Sequence, residues 1–266
     1  MDTTFKFPMQ IWKDRVALVT GASSGIGHAI ASSLLEHGMR VATCGLRKSK
    51  LDALGANAPS SHYLPIKTNL RDKSQIEALF QQIRQKWGGV DVLVNNAGIG
   101  HLAPLISGET ELWREMLEVN ILALCVCTRE AIQDMRRRGN DDGYIIHVSS
   151  IDAHIVPPDG AVYSASKVAV RALTIALREE LHHLKSHIRV TAISPGRTET
   201  NFLSTYLKSK EKAQTAYNEY KTLQPEDIAR TVIYLLSQPK HIQFQDLIVY
   251  PIRQPSFTRT SESTFT

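Results

Sequence analysis

The chain has 266 residues, 42% of them apolar, which is enough for one sizeable core. Its 31 Lys and Arg against 26 Asp and Glu leave a formal charge of +5, interspersed along the chain, so no nucleic-acid partner is indicated. No run reaches the roughly 18–20 apolar residues of a membrane span, and residues 1–10 carry Asp2 and no apolar stretch of a secretion signal; a cytoplasmic protein is expected. Cys44, Cys125 and Cys127 are odd in number and lack disulfide-framework or metal-ligand spacing, so they are expected as reduced core or near-core thiols, with no metal.

Residues 15–20 form a nearly continuous apolar run, the pattern of a strand buried on both faces. The run feeds into Gly21-Ala22-Ser23-Ser24-Gly25-Ile26-Gly27, and a helical period follows over residues 28–37, closed by Gly38. Strand, glycine turn and helix are the context in which backbone approaches a pyrophosphate and seats it on a helix N-terminus. A second strand is expected over 41–45. A cofactor with a free 2′-hydroxyl usually meets a carboxylate at the end of that strand. Here Arg47, Lys48 and Lys50 come before the first acid, Asp52, which favours a 2′-phosphate and hence NADP.

A third strand is expected over 62–67, running into Thr68-Asn69-Leu70, then an amphipathic helix over 72–87 stopped by Gly88-Gly89. The fourth strand, 91–95, leads into Asn95-Asn96-Ala97-Gly98. One long helix is predicted over 109–138 with Asn120 near its middle, where a polar amide either finds partners or marks distorted backbone. A fifth strand over 144–149 ends at Ser150, a helix over about 163–184 carries Tyr163 and Lys167, and a sixth strand over 188–193 ends in Ser194-Pro195-Gly196. His147 reads as packing. The polar and aromatic stretch 201–221 suits a mobile lid, a helix is predicted over 225–237 with Pro225 in its first turn, and a last strand over 244–250. The domain plan is an extension over 1–14, one domain over 15–250 with a lid at 197–222, and a flexible Ser/Thr-rich tail over 251–266.

Strands alternating with helices give a three-layer α/β Rossmann fold, a seven-stranded, doubly wound parallel sheet in a single domain. Ligands in such folds lie beyond the carboxyl ends of the strands, where every motif above falls. Tyr163 and Lys167, at i and i+4 of a helix, share one face. Bringing a phenol from its ordinary value near 10 to neutrality takes about 4 kcal/mol of differential stabilisation, which an adjacent ammonium helps to supply. A hydroxyl such as Ser150, at a strand end, is placed to hydrogen-bond a substrate oxygen.

From about residue 15 to 250 the chain resembles the short-chain dehydrogenase/reductase family. The resemblance rests on Thr20-Gly21-x-x-x-Gly25-Ile26-Gly27, Asn95-Asn96-Ala97-Gly98, Asn120, Ser150, Tyr163-x-x-x-Lys167 and Pro195-Gly196, in that order. It implies that Tyr163 is the general acid–base, that Lys167 lowers its pKa and binds the nicotinamide ribose, that Ser150 orients the carbonyl and that Asn120 supports a proton-relay water. It implies a cofactor surface from Gly21, Ser23, Ser24, Gly25, Ile26 and Gly27, with Arg47 and Lys48 at the adenosine end beside Asn69 and Leu70. Asn96, Ala97 and Gly98 would line its middle. Pro195, Gly196, Thr198 and Thr200, with Tyr163 and Lys167, would meet the nicotinamide half. The chain resembles most an NADP-dependent subgroup of keto-steroid and dicarbonyl reductases, with insect farnesol dehydrogenases and 3-hydroxy acid dehydrogenases close by, and relatives are commonly homodimers or homotetramers.

The sequence departs from the family pattern at Asn69 (usually Asp), Leu46 (often Arg), Ser24 (a basic residue in some members) and Ile151-Asp152-Ala153, which lacks the usual glycine. The expected activity is NADP(H)-dependent reduction of ketones or oxidation of secondary alcohols. Two alternatives stand beside it, a 3-hydroxy acid dehydrogenase and a catalytically silent dinucleotide binder. Gly100, His101, Ile151, Asp152, His154, Tyr206 and Tyr217 are the expected substrate lining.

Overall fold

A computed structural model describes residues 9–255 of the chain. Seven parallel strands run in the order β3-β2-β1-β4-β5-β6-β7, so the winding reverses between β1 and β4. In chain order the elements are β1 (Val16–Thr20), α1 (Gly25–Glu36), β2 (Arg40–Gly45), α2 (Lys48–Leu54), β3 (Tyr63–Lys67), α3 (Lys73–Trp87) and β4 (Val92–Asn95). Then come α4 (Thr110–Leu117), α5 (Leu124–Arg137), β5 (Tyr144–Val148), α6 (Ala161–His183) and β6 (Arg189–Pro195). Two lid helices, α7 (Asn201–Tyr206) and α8 (Lys210–Asn218), precede α9 (Pro225–Ser237) and β7 (Asp246–Val249).

Alternation along the strands makes two cores. On one face Ala17, Val19, Val92, Val94 and Ile146 pack with Ile30 and Leu34 of α1 and Ile228 and Leu235 of α9. On the other, Leu18, Leu93, Ile145 and Val190 meet Ile76, Leu79, Phe80 and Ile83 of α3 and Ala131 and Met135 of α5. A strand covered on both sides has no polar face to show, which is why residues 15–20 read as an unbroken apolar run. Cys44 and Cys127 are buried and Cys125 half-buried, all three as free thiols.

The amino ends of the strands are closed by charges that satisfy one another. Arg15 meets Asp142 at 2.8 Å, Arg138 meets Asp91 at 3.0 Å, and Asp91 also accepts from the Val16 N–H. The polar residues at the carboxyl ends belong to the site described below.

The structure departs from the sequence expectations in two places. The helix predicted over 109–138 is interrupted: α4 and α5 are joined by a wide π-helical turn, Glu118–Ala123, containing Asn120. Second, the domain reaches beyond 15–250. Met9 and Trp12 are buried in the first core, the Trp12 indole donates to Leu236 O at 2.7 Å, and Gln254 accepts from the Arg197 N–H at 2.7 Å. The remainder of the proposed extension, 1–8, and of the proposed tail, 256–266, lies outside the described residues. The stretch expected as a lid holds α7 and α8, and its ends are joined by Arg197 on Glu219 and by a bridge between Thr198 and Leu223. No helix among the described residues is long and apolar enough to cross a membrane.

Candidate active site

The glycine loop is shaped by the strand beside it. Thr20 Oγ1, at the end of β1, accepts the backbone N–H groups of both Asn96 and Ala97 at 3.0 Å, and the Asn96 amide donates to Thr20 O at 2.9 Å. This close approach leaves no room for side chains. A Cβ on Gly27 would lie 2.3 Å from Asn96 Nδ2, and one on Gly21, at φ +68, 2.8 Å from Ala97 Cα. Ser24 caps α1 in extended conformation without a side-chain bond to the helix. The first-turn N–H groups are thus free of any side-chain cap, at the carboxyl edge of the sheet, as a diphosphate requires. This cradle of glycines and N–H donors fits a dinucleotide.

At the adenosine end, Arg47 donates to Ser23 Oγ at 3.1 Å and Ser24 Oγ at 2.8 Å, which holds a guanidinium over the loop. Lys48 is engaged instead with Asp52, one turn along α2. Asn69 caps its own loop, its side-chain oxygen accepting from the Arg71 N–H, and Leu70 packs on the second core. Burial pushes the Cys44 thiol up to about 12, making it a packing residue at the loop's floor.

Tyr163 and Lys167 are both buried in the first half of α6. The Lys167 ammonium donates to Val148 O at 3.1 Å and lies 5.7 Å from the Tyr163 ring centroid. A Cβ on Gly98 would come within 3.2 Å of that ammonium, so the bare glycine leaves the approach to it open. Burial lowers Lys167 to about 8, with the Asp152 charge pulling the other way. The Tyr163 phenol is driven above its ordinary value, first by burial, then by Asp152, while a hydrogen bond with the Ser150 hydroxyl draws it down. Burial also lifts the Asp152 carboxyl to about 6, against the attraction of Lys167.

Asn120 acts through three hydrogen bonds. Its oxygen accepts from the Ile99 N–H and its nitrogen donates to Ile99 O, each at 2.9 Å, and it also donates to Ser166 Oγ at 3.0 Å. Ser166 in turn donates to Tyr163 O at 2.6 Å. The amide is satisfied and the backbone around it is distorted, so both features weighed from the sequence are present together. Behind the site, His147 is pushed down to about 3 by burial and is neutral. Thr174 Oγ1 donates to Val170 O, so it receives the His147 Nδ1–H at 2.9 Å, and Nε2 accepts from Thr128.

The lid contributes one residue that sequence reasoning missed, Phe202, beside the expected Tyr206. Phe202 and Tyr206 of α7 lie 5.4 and 6.0 Å from the Tyr163 ring, centroid to centroid, and Gly100 is bare because a Cβ there would meet both. Phe202 lay within the predicted lid, yet no periodic signal marked it as facing the tyrosine. Thr200 caps α7 and rests against Gly25, while Thr198 donates to Gly196 O. Gly196 itself donates to Val249 O, which ties the segment after Pro195 to β7. Ile26 packs on the first core from the start of α1. Ile151 is buried. Three residues expected to line the substrate space already have partners: His101 with Glu115, His154 with Asp246, and Tyr217 with Thr200 O.

A glycine cradle at the switch point of a seven-stranded parallel sheet, with Ser150, Tyr163 and Lys167 beside it, is the fold of a dinucleotide-binding oxidoreductase. Residues 15–211 match the family model described as short chain dehydrogenase, and the chain belongs to that family. It is 45% identical over 253 residues to dehydrogenase/reductase SDR family member 11 of Bos taurus, covering 92% of this chain and 99% of that one. It is 38% identical over 250 residues to farnesol dehydrogenase of Aedes aegypti, covering 92% and 98%. Among solved structures, the closed form of serine dehydrogenase complexed with NADP+ superposes with a TM-score of 0.85 at 30% identity, covering 90% of this chain and 96% of that one. Membership of the family makes the chain an oxidoreductase of alcohol and carbonyl groups.

Proposed function

We propose that the chain is an NADP(H)-dependent enzyme that interconverts ketones and secondary alcohols, with a keto-steroid, a diketone or an isoprenoid alcohol as candidate substrates. The observation that carries this is the buried Tyr163 phenol, hydrogen-bonded with Ser150 and 5.7 Å, ring to ammonium, from Lys167, at the carboxyl edge of the sheet beside the glycine loop. The farnesol dehydrogenase and the NADP+-bound relative support the substrate class and the cofactor.

In the reducing direction the Ser150 and Tyr163 hydroxyls hydrogen-bond the carbonyl oxygen. A nicotinamide held between the glycine loop and Lys167 would supply the hydride that adds to the carbonyl carbon. Because burial holds Tyr163 protonated, it enters the step as an acid and delivers its proton as charge grows on the oxygen. The Lys167 ammonium then stabilises the phenolate. Asn120 spends its amide on Ile99 and Ser166, so its part in proton relay is to hold the widened turn whose backbone receives a water. Arg47, with no carboxylate at the end of β2, favours a 2′-phosphate. Exposed Leu117, Leu122 and Val168, on and around α4 to α6, support association into a homo-oligomer.

The test follows nicotinamide absorbance with NADPH, and separately NADH, against a diketone, a 3-keto- and a 17-ketosteroid, farnesal and a 3-oxo acid. NADPH consumption that falls by roughly 10²–10⁴-fold in Tyr163→Phe is expected. Full activity in that variant, or tight NADPH binding with no member reduced, would overturn the reading.

A further inference from the structure

We propose that Asp152 selects the substrate: it accepts carbonyl compounds with a hydrogen-bond donor, hydroxyl or ammonium, close to the reacting carbon, and it disfavours those with a carboxylate there. The proposal rests on the reductase reading of the same site.

Asp152 is the middle residue of a short 3-10 turn, Ile151–Ala153, whose first and last side chains are buried. Its backbone N–H is held by Ser150 Oγ at 3.1 Å, so the residue is fixed to the hydroxyl that would meet the substrate oxygen. The carboxylate is near enough to Tyr163 and Lys167 for its charge to act on both. Among the described residues, no hydrogen bond or ion pair is made to that carboxylate. The neighbouring acids differ: Asp246 takes Ser194 and His154, and Glu115 takes Arg71 and His101. Lys167 is turned to Val148 O, and Phe202 and Tyr206 pack on the Tyr163 ring.

A half-buried carboxylate without a donor is costly, because water is partly removed and nothing replaces it. A ligand that brings an O–H or N–H recovers that cost on binding. A ligand that brings a second carboxylate adds like-charge repulsion in a low-dielectric space. The same group therefore attracts one class and repels the other, and specificity arises from both terms.

The experiment compares kcat/KM for four ketones of matched length, one neutral, one hydroxylated, one aminated and one carboxylated, in the wild type, Asp152→Asn and Asp152→Ala. NADPH binding by fluorescence reports the folding of each variant. The wild type is expected to prefer the donor ketones to the keto acid by about tenfold or more, and both variants to reduce that ratio about tenfold, chiefly through KM. Loss of the hydroxyketone preference over the neutral ketone only in Asp152→Ala identifies a hydroxyl, since Asn still accepts. Loss of the aminoketone preference over the neutral ketone in both identifies an ammonium. Turnover with the ratio unmoved in both variants overturns this proposal alone. Absence of turnover with every member in the wild type overturns the reductase reading and this proposal together.

Discussion

The ring of Phe202 lies 5.4 Å from that of Tyr163, tilted by 45°, and is one of two lid rings that pack on the candidate acid. It contributes to the burial in which the phenol holds its proton. Phe202→Ala is expected to loosen the lid, removing aromatic contact of about 0.5–1.5 kcal/mol beyond area burial. Steady-state kinetics with a ketone should show KM raised roughly tenfold and a pH profile moved down, as Tyr163 regains solvent. An unchanged profile would mean that the lid does not control that desolvation.

Asn120 holds both backbone groups of Ile99. Asn120→Leu strands these part-buried groups, at a cost of up to about 1–3 kcal/mol each. Thermal unfolding should show a lower Tm, and activity should fall further than in a variant destabilised equally elsewhere.

Arg47 is the cation that sits on the glycine-loop serines, whereas Lys48 is paired with Asp52. Arg47→Ala should therefore reduce kcat/KM for NADPH by about 10–100-fold, the value of a charge-assisted phosphate contact of about 1.5–3 kcal/mol, with NADH much less affected. Lys48→Ala should do less. Equal losses for both cofactors would assign Arg47 to loop structure alone.

Gly27→Ala places a methyl 2.3 Å from Asn96 Nδ2 and 2.8 Å from Gly21 O, so the loop must move. Dinucleotide affinity measured by fluorescence should drop at least about tenfold, and stability by about 1–3 kcal/mol. Binding at wild-type strength would show that the loop yields without harm.

Asp152 and His147 make opposite contributions to stability against pH. Asp152 is raised from 3.8 to about 6, so the folded chain holds its proton through that window and loses stability as pH rises across it. Asp152→Asn removes this and should stabilise the protein above pH 6 by up to about 3 kcal/mol. His147 is lowered from 6.5 to about 3, so the unfolded chain binds the extra proton and stability falls as pH drops from 6.5 towards 3. His147→Gln should flatten that acid limb. Urea unfolding of each variant at several pH values separates the two, and parallel curves for variant and wild type would contradict the assignment.

The parallel sheet was legible because its residues need only be apolar and well spaced, and local sequence records that directly. The strand ends, the glycine loop, Ser150 and the Tyr163 helix were legible too, since each obeys a short-range constraint: a turn, a cap or an i to i+4 face. The break at Asn120 was half visible. Its polarity flagged the place, but the π turn exists because Ile99, far off in sequence, offers a backbone pair for the amide to hold.

By itself the sequence determined the winding of the sheet, the cradle between β1 and α1, and the Ser, Tyr and Lys set that follows β5. Only the tertiary structure decided that Arg47 rather than Lys48 lies over the loop, that His101, His154 and Tyr217 are already partnered, and that Trp12 completes the core. It decided also that Phe202 packs on Tyr163 and that, among the described residues, no hydrogen bond or ion pair is made to the Asp152 carboxylate. Chain order carries local periodicity and turn chemistry, whereas desolvation and charge pairing depend on which distant segments fill the space around a group.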